Sequence, residues 1–188
     1  MVRIGLLVFY VNSYIRREKN QKNKPISYRM DNNIFDKIGF LGPLLLFSIG
    51  IYNLLDQKIY LIAYLVFFIT NTLVNKILKR LIQQQRPSYG KSIMNEQYKG
   101  TEMYGMPSGH AQSAFFSISF LYLVKESPTL FISELFIAAL TVFQRWKYRQ
   151  HTPEQLFVGS IIGIGFAYFS YWTTKHYLSG KTFYLNTI

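Results

Sequence analysis

The 188-residue chain contains no cysteine. Disulfides and thiolate metal sites are therefore excluded, while the redox compartment stays open. Acidic residues are scarce: nine Asp and Glu stand against twenty-one Lys and Arg, a formal net charge of +12. No Asp/Glu cluster suited to a hard divalent cation is present, so neither a metal nor another cofactor is expected. Charged residues are only 16% of the chain, against 49% hydrophobic and 18% aromatic. That balance belongs to membrane rather than soluble proteins. Internal repeats and low-complexity stretches are absent too. The positive charge would suit nucleic acid or an anionic membrane surface. Because the basic residues cluster between long apolar runs, we read it as a membrane feature, with no nucleic-acid partner.

The length fits one domain, and we place its start after an N-terminal segment, residues 1–37. Ile4 to Val11 form an apolar run behind Arg3, too short to cross a bilayer, which takes about 20 residues. No small-residue cleavage site follows, so an interfacial or packing helix is preferred to a signal peptide. Residues 16–37 are polar and basic, as a solvated juxtamembrane arm would be.

Residues 38–188 carry five candidate spans, at 38–55, 59–78, 111–124, 129–143 and 155–173. The expected fold is all-α, an integral membrane bundle of five transmembrane helices plus the short N-terminal helix. Buried helices of a soluble bundle are the alternative, since some runs fall short of about 18 residues. Asp56-Gln57-Lys58 makes a tight helical hairpin of the first two spans, and Lys125-Glu126-Ser127-Pro128 joins the third and fourth. Counting crossings puts Lys79, Arg86, His110, Arg145 and His151 on one side of the membrane. The long 88–106 loop lies on that side as well, which favours it as the functional face. Sixteen Lys and Arg fall on this face and four on the other. The positive-inside rule therefore turns it to the cytoplasm.

Three stretches carry the chemistry. Tyr104-Gly-Met-Pro-Ser-Gly-His110 turns into a helix. Unpaired N–H groups and the positive dipole end at such a start suit an anion, and His110 adds a titratable proton. An N-cap beside an interfacial histidine is the plainer reading. Lys79 and Arg86 stand seven residues apart, close to two turns, at the end of the second span. Cations there also complement the helix dipole. Arg145 and His151 precede Thr152-Pro153-Glu154-Gln155, where Thr152 is the expected N-cap, Pro153 the first helical residue and Gln155 the capping-box partner. Gln155, Gly159, Gly163 and Ala167 then form a stripe of mostly small residues, expected to pack against a neighbouring helix. Ser113 and Ser117 suggest a similar seam. Glu134 is the one carboxylate inside a span. It lies close enough to its helix end for us to expect it to reach the interface.

Together the motifs resemble the type 2 phosphatidic acid phosphatase superfamily, whose pattern is Lys-x6-Arg-Pro, Pro-Ser-Gly-His and Ser-Arg-x5-His-x3-Asp. Here these read Lys79-x6-Arg86-Pro87, Pro107-Ser108-Gly109-His110 and Arg145-x5-His151-x3-Gln155. Gln144 replaces the serine and Gln155 the aspartate that polarises the nucleophilic histidine. A glutamine carbonyl can still accept the imidazole N–H, without the charge. Gly105-Met-Pro-Ser-Gly-His-Ala-Gln112 and His151-Thr-Pro-Glu-Gln155 are similar to the dolichyl-diphosphatase branch, where glutamine takes the same place.

The resemblance implies a metal-independent lipid phosphatase acting on a polyisoprenyl diphosphate, with a phosphatidate-type lipid phosphate or a non-catalytic membrane module as alternatives. It implies that His151 attacks phosphorus and His110 protonates the leaving oxygen. Lys79, Arg86, Arg145 and the N–H groups of Ser108 and Gly109 would hold the phosphate, and a bell-shaped pH profile would follow. The branch also implies an endoplasmic reticulum or other endomembrane location with a lumenal site, against the cytoplasmic facing from charge. Both facings stay open.

Overall fold

The structure, a computed structural model, describes residues 33–88, 90, 98 and 100–179. The expected N-terminal helix, most of the basic arm, and Tyr89, Lys91 and Lys99 of the long 88–106 loop lie outside the described residues. Five α-helices follow one another: α1 (Ile34–Asn53), α2 (Lys58–Ile82), α3 (Gly109–Lys125), α4 (Pro128–Lys147) and α5 (Pro153–Thr173). A 3-10 turn (Gly100–Met103) precedes α3, and a π-helical segment (Thr174–Ser179) continues α5. The all-α expectation holds for every one of these elements. Helices α1, α2, α4 and α5 are long and apolar enough to cross a membrane. Helix α3, the third of the five expected spans, has 17 residues, about 25 Å by helical rise.

Helix α5 starts at the expected cap. Thr152 accepts the Gln155 N–H while the Gln155 side chain takes the Thr152 N–H, a complete capping box with Pro153 in the first turn. Ser127 caps α4 ahead of Pro128 by accepting the Leu130 N–H at 3.4 Å, without the reciprocal half of a box. Helix α1 begins at Ile34, a turn before the expected 38. Its buried Asp36 accepts from Lys147 Nζ at 2.8 Å and from Tyr148 Oη at 2.8 Å, tying the start of α1 to the end of α4.

Helix α3 is the centre of the bundle. Ala111, Ala114, Phe116, Ser117, Ile118, Phe120 and Leu121 are all buried. Phe116, Phe120 and Leu121 pack with Tyr64 and Ala63 of α2, Leu54 and Ala167. On another side Ala114 and Ile118 meet Leu46 of α1 and Ala138 of α4. The expected stripe on α5 does face a neighbour. A Cβ on Gly159 would stand 2.6 Å from the Ser108 carbonyl oxygen, and one on Gly163 would stand 3.0 Å from Phe116 N. Only hydrogen lets the α5 backbone come this close to α3. The two-serine seam divides: Ser117 accepts from Tyr64 Oη at 2.8 Å, whereas Ser113 lines a cavity.

Polarity is arranged inside out. Ile62, Val66, Ile69, Leu73 and Ile77 run down the outside of α2, and Phe157, Ile161, Ile164 and Tyr168 down the outside of α5, all exposed. Asn71, Asn75, Lys79, Gln112, Gln144, Arg145 and Gln155 are buried. Facing water the first set would cost free energy as exposed apolar area, whereas hydrocarbon solvates it and drives polar groups to the interior. The first two helices are joined by a short turn, as expected, but they diverge. Helix α1 packs mainly on α4 and α3 and touches α2 little. The space between α1 and α2 becomes part of the site.

Candidate active site

At one end of the bundle the last turn of α2, the first turn of α3, the end of α4 and the residues before α5 surround a cavity of about 530 Å³. Lys79, Arg86, Gly109, His110, Arg145 and His151 line it, so residues up to 72 positions apart in sequence meet. The crossing count had put them on one side of the bundle; here they share one cavity.

His151 is held from both ring nitrogens. Its Nδ1 lies 2.9 Å from the Gly105 carbonyl and 3.3 Å from Gln155 Oε1, both acceptors. Its Nε2 lies 3.0 Å from Arg86 Nη1. A guanidinium can only donate, so Nε2 carries a lone pair and Nδ1 the proton. The ring is the neutral tautomer, with its lone-pair nitrogen turned to the cationic side. Burial first, then the charges of Arg86, Lys79 and Arg145, holds its pKa well below the ordinary 6.5, with the Gly105 contact opposing them. His110 has a parallel arrangement, since the Arg145 guanidinium donates to its Nε2. Arg145 also donates to Gln150 Oε1.

The Gln155 side chain is fully buried and uses both ends. Its Oε1 accepts from His151 and from the Thr152 N–H at 3.2 Å. Its Nε2 donates to Gln84 Oε1 at 3.2 Å and to the Gln85 carbonyl at 2.9 Å. Capping and holding the imidazole are therefore one act. The nearer acceptor for His151 is nevertheless the Gly105 carbonyl, a role that a main-chain atom gives no residue-type signal for. A clue did exist in the glycine itself. A Cβ there would stand 2.6 Å from Gln155 Nε2 and 2.7 Å from the carboxamide carbon.

Ser108 corrects an expectation. Its N–H donates to the Gln155 carbonyl at 3.1 Å and does not face the cavity. Its hydroxyl caps α3 by accepting from the Ala111 N–H at 3.4 Å. The N–H groups left without an acceptor among the described residues are those of Gly109 and His110. Asn75 fixes this turn from α2, donating to the Pro107 carbonyl at 3.3 Å and to Gln112 Oε1 at 2.7 Å. Gln112 in turn donates to Asn71 Oδ1 at 2.8 Å. Gly105 and Gln112 were matched to a substrate class on their motif. Among the described residues they support the two halves of the site and do not line the cavity.

Two further residues enter the site from the 88–106 loop: Tyr98, for which the sequence signals no role, and Glu102, which it does not mark at all. The Glu102 carboxylate lies 2.7 Å from Lys79 Nζ and 3.5 Å from Arg86 Nη2. The Tyr98 ring lies 4.0 Å under the Arg86 guanidinium. Arg86 also donates to the carbonyls of Glu102 at 2.8 Å and Gln150 at 2.9 Å. Glu134 does not reach an interface as expected. It is 1% exposed, and neither carboxyl oxygen has a hydrogen-bond partner among the described residues. Gln144 is buried too, its amide equally without a partner.

Similarity to known proteins agrees with this geometry. The chain is 34% identical over 101 residues to dolichyldiphosphatase 1 of Dictyostelium discoideum, covering 48% of this chain and 42% of that one. It is 34% identical over 103 residues to the chloroplastic lipid phosphate phosphatase epsilon 1 of Arabidopsis thaliana, covering 50% and 34%. It thus spans less than half the length of either relative. The fold matches the crystal structure of a transmembrane PAP2-type phosphatidylglycerolphosphate phosphatase from Bacillus subtilis. The TM-score there is 0.62 over 81% of this chain and 80% of that one, at 21% identity. The family model for the PAP2 superfamily matches residues 60–177, which contain every residue of the cavity's cationic and histidine set, and the chain belongs to that superfamily.

Proposed function

We propose that the chain is a multi-pass membrane enzyme that hydrolyses a lipid phosphate, and that its substrate is a polyisoprenyl diphosphate, cleaved to the monophosphate. The observation that carries this reading is the pairing of two histidines with three cations, Lys79, Arg86 and Arg145, around one cavity. In this reading all five helices cross the bilayer of an endomembrane such as the endoplasmic reticulum, with α3 shielded by the others.

The terminal phosphoryl group sits among the three cations and the N–H groups of Gly109 and His110, which stabilise charge on its equatorial oxygens. Once the anion has drawn Arg86 off it, the His151 Nε2 lone pair forms a P–N bond as the bridging P–O bond breaks. His110, protonated once the anion has drawn Arg145 off its Nε2, gives its proton to the leaving lipid phosphate oxygen. Water then attacks phosphorus, the P–N bond breaks, and His110 takes the water proton. Inorganic phosphate and free His151 result. Gln155 and the Gly105 carbonyl keep the proton on Nδ1 throughout.

Support for a diphosphate comes from α2. Lys76, three residues before Lys79 and on the same face, lines the same cavity and has no acidic partner among the described residues. It offers a cation to the inner, lipid-bearing phosphate. Phe40 and Pro43 of the diverging α1 form the apolar wall opposite.

The test is a panel of polyprenyl diphosphate, polyprenyl monophosphate and phosphatidate with purified protein in detergent. Phosphate release fastest from the diphosphate, and lost in His151→Ala, is expected. Preference for phosphatidate would replace the substrate assignment. Turnover of none of them would favour a non-catalytic membrane module.

A further inference from the structure

The phosphate-binding cations already hold an anion that belongs to the protein. The Glu102 Oε2 is 2.7 Å from Lys79 Nζ and 3.5 Å from Arg86 Nη2. The two sides of this contact differ in character. The Lys79 side chain is 2% exposed, whereas that of Glu102 is 48% exposed. Lys79 is thus fixed by burial, and Glu102 reaches it from the solvent side.

Glu102 cannot drift far along the chain. Its carbonyl accepts from Arg86 Nε at 2.8 Å, and the Tyr104 N–H donates to the Thr101 carbonyl at 3.2 Å. The Gly105 N–H donates to the Gln84 carbonyl at 2.7 Å. The turn is therefore anchored at its main chain, and only the carboxylate end is free to leave. A phosphate oxygen placed on Lys79 would compete with Oε2 for the space beside Nζ and for its charge, and would meet a like charge there.

Resting on the phosphatase reading above, we propose that Glu102 is a resident competitor for the phosphoryl group and sets how tightly the site takes phosphate anions. A carboxylate offers one charge and reaches two of the three cations. A phosphoryl dianion with three outer oxygens reaches all three, so it displaces Glu102 while losing the Lys79–Glu102 contact from its net binding. Inorganic phosphate makes the same polar contacts as the substrate but lacks the lipid's apolar contacts. The competition therefore leaves substrate bound through its lipid portion and lets the product go. Glu102 acts on binding and product release rather than as a proton carrier in either chemical step.

The measurement is binding of inorganic phosphate to the purified full-length protein in detergent by calorimetry, alongside turnover with product inhibition. Glu102→Gln keeps the side-chain length and one acceptor while removing the charge, and Glu102→Ala removes the contact altogether. Both variants are expected to bind phosphate about 10-fold more tightly than wild type, the size of one charge-assisted hydrogen bond partly open to solvent. Stronger product inhibition is expected with it, read as a lower inhibition constant for inorganic phosphate in the turnover assay. Equal or weaker phosphate binding by both variants overturns the proposal and makes Glu102 a prop for the cations, while leaving the phosphatase reading in place. Failure of wild type and variants alike to bind phosphate, with helical content intact, overturns both.

Discussion

Gly105→Ala isolates the part of the site that main-chain geometry carries. The added methyl would stand 2.6 Å from Gln155 Nε2 and 2.7 Å from its carboxamide carbon. To restore ordinary contact the carboxamide must retreat by most of an ångström. It is not free to do so cheaply, because it is buried and engaged with the Thr152 N–H, His151 Nδ1, Gln84 Oε1 and the Gln85 carbonyl. Losing two of these at about 1 kcal/mol each gives about 2 kcal/mol. If that loss falls on the orientation of His151, kcat/KM drops about 30-fold. The assay is phosphate release from polyprenyl diphosphate for wild type, Gly105→Ala, Gln155→Ala and the double variant. If the methyl acts by displacing Gln155, it has little further effect once that side chain is gone. The same fold-loss in both backgrounds would refute this reasoning and point to direct disturbance of the Gly105 carbonyl.

Three other outcomes follow from the same contacts. Because His151 is held well below 6.5 in the folded protein, the acid limb of the kcat/KM–pH profile should lie below pH 6.5; a limb above that value would show that His151 is not so depressed. The unfolded chain binds this proton more readily than the folded one, so His151 favours folding fully above pH 6.5 and loses that contribution as pH falls through its folded value. Acid-induced loss of stability should be reduced in His151→Asn, measured by thermal unfolding at pH 5 and pH 7.5. Glu134→Met removes a buried carboxyl group that has no hydrogen-bond partner among the described residues. It should leave turnover intact and raise stability by about 1–3 kcal/mol, whereas a loss of activity would give Glu134 a functional role.

Much of the site could be read in the sequence because its signals are local. Thr152, Pro153 and Gln155 form a capping box through spacing alone, and it appears as expected. The apolar runs and their short connections bring Lys79, Arg86, His110, Arg145 and His151 to one end by crossing parity, with no knowledge of packing. The small residues at 159 and 163 announce close helix approach because few other reasons put glycine in an apolar helix.

The missed features are those in which tertiary partners decide. The Ser108 N–H seemed free at a helix start, but the Gln155 carbonyl arrives from another helix to take it. Gly105 acts through a carbonyl that every residue type possesses. Glu102 lies in a turn with no periodicity, so nothing local marks it as the partner of Lys79. The short turn between α1 and α2 implied a close hairpin, yet α1 prefers α4 because Gly39 and Gly42 let the α4 backbone and Thr141 approach.

The central claim is that His151 carries the phosphoryl group. Rapid quench of enzyme turning over polyprenyl diphosphate labelled in its terminal phosphate, followed by alkaline peptide digestion and mass spectrometry, tests it directly. Acid-labile phosphate on the peptide containing His151, absent from His151→Gln, is expected. Turnover at normal rate with label on another residue, or persisting in His151→Gln, would contradict it.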